Sequence, residues 1–133
     1  MKFQPETIEG VNVIQRHDAG RIVVGATAWT CSLLLPWAGD AQAWNVRCFD
    51  DLQAAHFERL VALQPELVIF GSGLRLRFAP PALLRPLIER RIGVECMDTA
   101  AACRTYNVLA SERRSVVAAL IVEAPEPAPV GRA

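Results

Sequence analysis

Apolar and polar positions change rhythm partway along the chain. From Val11 to Arg16 they alternate loosely, and Asp18-Ala19-Gly20 then offers a tight turn into Arg21-Ile22-Val23-Val24. That is a hairpin signal. A second apolar segment runs from Trp29 to Leu35 and stops at Pro36. Gly39-Asp40 marks another turn, and Ala43 to Cys48 reads as a further strand. The first third is therefore expected to be antiparallel β.

After that the rhythm becomes helical. Asp50-Asp51 is placed to cap a helix with Phe57, Leu60, Val61 and Leu63 among its apolar positions, and Pro65 stops it. Glu66 to Phe70 is an almost unbroken apolar run, the mark of a strand buried on both faces. Gly71-Ser72-Gly73 ends that strand. Beyond the loop from Leu74 to Ala79, Pro80-Pro81 starts a helix with Leu83, Leu84, Leu87 and Ile88 on one face. Pro86 inside it predicts a kink, and Gly93 is expected as its C-terminal cap. Gly93 to Met97 is the next strand, Thr99 to Ser111 the next helix, and Ser115 to Val122 the last strand.

Alternating strands and helices favour parallel pairs joined by right-handed crossovers. The expected fold class is α/β in three layers: a mixed central sheet, helices packed on it, and N-terminal hairpins that either extend the sheet or cover one face. Residues 1–123 are read as a single domain, and 124–133, proline-rich, as a disordered tail.

Composition narrows the function classes. No apolar run reaches the roughly 18 residues needed to span a bilayer, and the N-terminus lacks the apolar core of a signal peptide. The chain is expected to be cytoplasmic and not membrane-embedded. Fourteen basic and fourteen acidic residues cancel, so there is no basic excess of the kind that marks a nucleic-acid binder. Cys31, Cys48, Cys96 and Cys103 include no closely spaced ligand pair, so reduced thiols are expected, with no metal and no cofactor.

Two stretches hold candidate chemistry. The loop Gly71-Ser72-Gly73-Leu74-Arg75-Leu76-Arg77 follows a buried strand, and in parallel sheets ligands bind beyond the carboxyl ends of strands. If the strands at 66–70 and 93–97 are parallel, the loop amides share an edge with Asp98 and Thr99 at the start of the last helix. An anion could then be held there with Arg75. The plainer reading is that the glycines make a sharp turn and the arginines are solvated. On the helix, Cys103 lies beside Arg104, as a nucleophile might, but it shares an apolar face with Ala102, Tyr106 and Leu109, as a core thiol does. Asp98 reads mainly as an N-cap. Arg104 and Asn107 share a stripe that either clamps a carboxylate, a phosphate or a partner, or is a solvated face or bonds to a nearby loop. Trp29, Trp37 and Trp44 read as core, with an exposed Trp37 as an alternative partner anchor.

Three pieces, LVIFGSG at 67–73, RFAP at 77–80, and GVECMDT at 93–99 followed by AACRTYNVL at 101–109, together resemble the Mth-type domain family of unknown function. That family includes the mitochondrial respiratory complex I assembly factor three and the adipogenesis-associated Mth-domain protein. The resemblance covers residues 8–122. It implies a three-layer α/β fold and action through protein contacts, and it brings no catalytic residues. Ser72 replaces an expected threonine, Pro86 interrupts a helix, and Arg113-Arg114 replaces an expected acidic-glycine-arginine turn. The resemblance and the absence of a targeting segment fit a bacterial cytoplasmic member. The reading is a non-catalytic protein-binding module, assisting assembly of a respiratory membrane complex. The alternative is an anion-binding protein or enzyme using Gly71, Ser72, Gly73, Arg75, Asp98, Thr99, Arg104 and Asn107.

Overall fold

A computed structural model describes residues 10–123. A large five-stranded sheet forms its middle layer. Its strands are β4 (Leu33–Pro36), β5 (Gln42–Ala43), β6 (Leu67–Gly71), β7 (Gly93–Met97) and β8 (Val116–Leu120). Their order across the sheet is β5-β4-β8-β6-β7, with β6 parallel to both β7 and β8 and with β4 antiparallel to β8 and β5. A separate three-stranded antiparallel sheet holds β1 (Ile14–Asp18), β2 (Arg21–Val24) and β3 (Thr27–Trp29). The helices are α1 (Ala54–Val61), α2 (Pro81–Glu89) and α3 (Thr99–Ser111).

Period-two alternation sends successive side chains of the large sheet to opposite faces. Leu33, Leu35, Ile69, Val116, Ala118 and Leu120 face one core, shared with Ala102, Cys103, Tyr106 and Ala110 of α3 and with Ile14 and Ile22 of the small sheet. Leu34, Val68, Phe70, Val117 and Ala119 face the other, shared with Phe57 and Leu60 of α1, Leu87 of α2, and Trp44. The middle strands are thus buried on both sides, which explains their nearly unbroken apolar sequences. The hairpins cover the α3 face and do not extend the large sheet.

The helices fall on opposite faces for a topological reason. The path from β6 through α2 to β7 moves one way across the sheet, and the path from β7 through α3 to β8 moves back. Crossovers of one hand that travel in opposite directions must lie on opposite faces.

Several local expectations need correction. The apolar run from Trp29 to Leu35 is not one strand. It is cut at Thr30-Cys31-Ser32, where the chain leaves the small sheet for the large one. Ser32 anchors the crossing: its carbonyl accepts from Trp44 N at 2.9 Å and its hydroxyl from Val122 N at 2.9 Å. The strand expected over Ala43 to Cys48 shrinks to the two residues of β5. Trp44 and Val46 then turn inward, and the Trp44 indole donates to the His56 carbonyl at 3.1 Å. Asp50 and Asp51 sit in a short 3-10 turn and do not cap α1. Gln53 holds the N-cap position, where its amide donates to His56 Nδ1 at 2.9 Å and its carbonyl accepts from His56 N at 3.0 Å. Gly93 is the first residue of β7, not a cap. Arg91 takes the left-handed conformation after α2 (φ 59°). The helix α2 continues through Pro86 as one element. The tail at 124–133 lies outside the described residues.

Candidate functional site

The carboxyl ends of β6 and β7 bring the two sequence stretches together, as their parallel pairing requires. Ser72 N donates to the Met97 carbonyl at 2.8 Å, and Thr99 N donates to the Gly73 carbonyl at 2.9 Å. Gly71 permits this approach: a β-carbon there would stand 3.0 Å from Thr99 Cα and 3.0 Å from Leu120 Cδ2. Gly73 has φ of 107°, which only glycine adopts without strain.

The loop amides are already engaged within the chain. Gly73 N donates to Thr99 Oγ1 at 2.9 Å, and Leu74 N donates to Glu123 Oε1 at 3.0 Å. The Thr99 hydroxyl donates onward to the Ile121 carbonyl at 2.7 Å. Ser72 is buried, and its hydroxyl lies 2.6 Å from the Arg75 carbonyl and 3.1 Å from the Met97 carbonyl while accepting from Arg77 N at 2.9 Å. Asp98 caps α3 by accepting from Ala101 N at 2.8 Å. These residues lock the start of α3 onto the end of β6 and the exit of β8.

A groove of about 300 Å³ opens on this edge. The hairpin tip at His17 to Gly20 forms one wall, Gly73 and Leu74 another, and Asp98 to Ala100 the third. Ile22, Ile121 and Val122 also line it, with Glu123. Among the described residues its charged lining is acidic, from Asp18, Asp98 and Glu123, with no arginine or lysine. Of the eight candidate residues, Gly73, Asp98 and Thr99 line the groove, while Gly71, Ser72, Arg75, Arg104 and Asn107 do not. The groove's nearest amides are engaged, and the described residues around it offer an anion no positive charge.

Asn107 is half-buried, and its placement corrects the expectation of an accessible stripe. Its Oδ1 accepts from Ile14 N at 2.9 Å and its Nδ2 donates to the Ile14 carbonyl at 2.8 Å. The side chain acts as a one-residue strand partner at the outer edge of β1. Arg104 is exposed and makes no ion pair among the described residues. Cys103 is fully buried, and burial pushes its thiol up to about 12, outweighing the neighbouring Arg104 charge. A thiol held neutral in this way is a core residue and not a nucleophile. Burial likewise raises the Tyr106 phenol, whose hydroxyl reaches the Asn12 carbonyl at 2.8 Å and the Pro36 carbonyl at 3.2 Å. Trp37 packs half-buried against the α3-side core.

Beside the groove runs the loop Leu74-Arg75-Leu76-Arg77-Phe78. Leu74 is 60% exposed, Leu76 52% and Phe78 71%. Arg77 turns back, with its guanidinium 4.1 Å above the Phe49 ring and 3.0 Å from Asp50 Oδ1, so the loop's far end is fixed. Arg75 is exposed and makes no ion pair among the described residues. The sequence places Leu74, Leu76 and Phe78 in a loop, but nothing in it shows that their side chains stand exposed. Glu123 and Asp18 were invisible to it, since only the folded topology brings β8's exit and the hairpin tip to one edge.

Residues 14–121 match the sequence pattern of a protein family of unknown function, DUF498/DUF598. The chain is 36% identical over 90% of its length to NADH dehydrogenase [ubiquinone] 1 alpha subcomplex assembly factor 3 of Bos taurus, and it spans 65% of that protein. It is 25% identical over 91% of its length to the 13 kDa major membrane protein of Francisella tularensis, spanning 99% of it. A crystal structure from Bordetella parapertussis superimposes with a TM-score of 0.81 at 32% identity, covering 88% of this chain and all of that one. A Mth938-like domain from Bordetella pertussis gives 0.80 at 27% identity, covering 93% and 94%. The chain belongs to the DUF498/DUF598 family and has the Mth938-like fold.

Proposed function

We propose that this member of the DUF498/DUF598 family is a non-catalytic protein-docking module that assists assembly of a respiratory membrane complex. The observation that carries the reading is the 36% identity, across most of the chain, to a protein named as a complex I assembly factor. The exposed loop from Leu74 to Phe78 is the docking surface. Three large apolar side chains that stand largely in solvent on one short loop are what a contact surface needs. The work is done at a membrane without spanning it: a family relative is named a membrane protein, and among the described residues no helix is long and apolar enough to cross.

The test is cross-linked capture from cells of the source organism, comparing the wild-type chain with a Leu76→Asp/Phe78→Asp variant. Recovery of respiratory-complex subunits by the wild type and their loss in the variant is the expected result. No subunit above background would refute the assembly role. Equal recovery by the variant would refute the loop as the surface.

A further inference from the structure

The docking edge carries both halves of a complementary pair, which identifies one occupant that fits it. The loop offers apolar side chains and a cation, Arg75, that makes no ion pair among the described residues. The adjoining groove offers an apolar floor of Ile22, Ile121 and Val122 under the carboxylates of Asp18, Asp98 and Glu123. Leu74 belongs to both, so the two halves share one face. A twofold axis through such a face sets each molecule's loop against the other's groove, and a contact of this isologous kind closes at two copies.

We propose that a second copy of this chain docks on this edge, with the Leu74-Arg75-Leu76 segment of each molecule seated in the acidic groove of the other. This rests on reading the edge as a docking surface, but its test needs no other protein. The charges of the edge favour this pairing. Asp98 and Glu123 each have one carboxylate oxygen occupied by a backbone amide, which leaves a second oxygen to meet a guanidinium. Among the described residues Asp18 pairs with the exposed Arg21, at 3.3 Å. The face is small beside the roughly 1,200 Å² or more of total buried surface in stable interfaces, so the dimer is weak and concentration-dependent. Its charged contacts steer the approach and fix the register.

Sedimentation velocity on the full chain, from about 10 µM to about 500 µM, covers the span of transient contacts. Rising mass with concentration is expected, reduced at about 0.5 M salt by screening. Arg75→Glu alone and Asp18→Lys alone each set like charges in apposition and weaken association by about tenfold or more. Both positions are exposed, so folding is preserved, as circular dichroism will show. An equal mixture of the two variants restores opposite charges at both contacts, and its association returns to the wild-type level. A wild type that stays monomeric at the highest concentration overturns the proposal. So does a dimer that neither variant weakens, or one that the mixture fails to restore, because its interface then lies elsewhere. None of these results bears on capture of respiratory subunits, so the two readings fail separately.

Discussion

Replacing Asn107 by alanine tests how the small sheet is held to the rest of the molecule. Ile14 is only 2% exposed, and its amide and carbonyl point away from β2 at the outer edge of β1. Both are satisfied by the Asn107 side chain, at 2.9 and 2.8 Å, across 93 residues of sequence. Alanine leaves a donor and an acceptor without partners in a place that water reaches poorly. Each such loss costs about 1–2 kcal/mol, so Asn107→Ala is expected to destabilise by about 2–4 kcal/mol. For a domain of this size that lowers Tm by roughly 10 °C. Asn107→Asp keeps the acceptor for Ile14 N but turns a carboxylate towards the Ile14 carbonyl, and it is expected to cost at least as much. Urea unfolding at constant m-value gives the free energies, and hydrogen exchange at the Ile14 amide shows whether the loss is local. The comparison is Arg104→Ala on the same helix, expected within about 0.5 kcal/mol of wild type because it is exposed. If Asn107→Ala costs no more than Arg104→Ala, the strand-partner role is wrong, and the stripe regains its place as an accessible recognition surface.

Three further outcomes are expected. Tyr106→Phe removes the hydroxyl from the Asn12 carbonyl, while the Pro36 carbonyl keeps the Asn12 side-chain amide at 2.9 Å; denaturant unfolding should show a loss of about 1–2 kcal/mol. Gly73→Ala meets both a φ of 107° and the Glu123 carboxylate, which lies where the β-carbon would go; the strain alone is of order 1–3 kcal/mol, and an unchanged melting temperature would contradict the described loop. Cys103 gives a pH dependence: its pKa is raised from 9.0 to about 12 by burial, so the unfolded chain loses this proton first as pH rises. Stability is unaffected by Cys103 below about pH 9 and falls between pH 9 and 12, by up to about 1.4 kcal/mol per unit. Cys103→Ala should flatten that decline, and in the native protein at pH 8 a thiol reagent should label exposed Cys31 and spare Cys103.

The second half of the fold was legible because its signals are local. A continuous apolar run, a capping aspartate and a helical period each depend on a few neighbouring residues, and β6, β7, α3 and β8 appear within a residue or two of where the pattern puts them. The first half was less legible because the chain there changes sheets. Nothing in the run from Trp29 to Leu35 announces that its first residue belongs to one sheet and its last three to another. The break depends on Ser32 meeting Trp44 and Val122, contacts made across 12 and 90 residues. The site shows the same division. That Gly71 to Gly73 and Asp98-Thr99 share an edge followed from parallel pairing alone. The acidic groups that line the groove include Asp18 and Glu123, which come from distant elements and which no local pattern brings to this edge.

This division also explains what the family-like segments encode. Gly71 makes room for Thr99; Thr99 holds Gly73 and Ile121; Ser72 holds the loop's turn; Asp98 caps the helix; Asn107 holds β1. Each of these side chains, or the space left by its absence, is committed to an internal contact. These residues of the segments that carry the resemblance therefore specify the shape of an edge. What that edge presents is set by residues outside the lock: Leu74, Arg75, Leu76 and Phe78 on the loop, and Asp18 on the hairpin tip. Two proteins can then share the lock and the fold while differing in what they dock, because the displayed residues are free to change without disturbing the contacts beneath them.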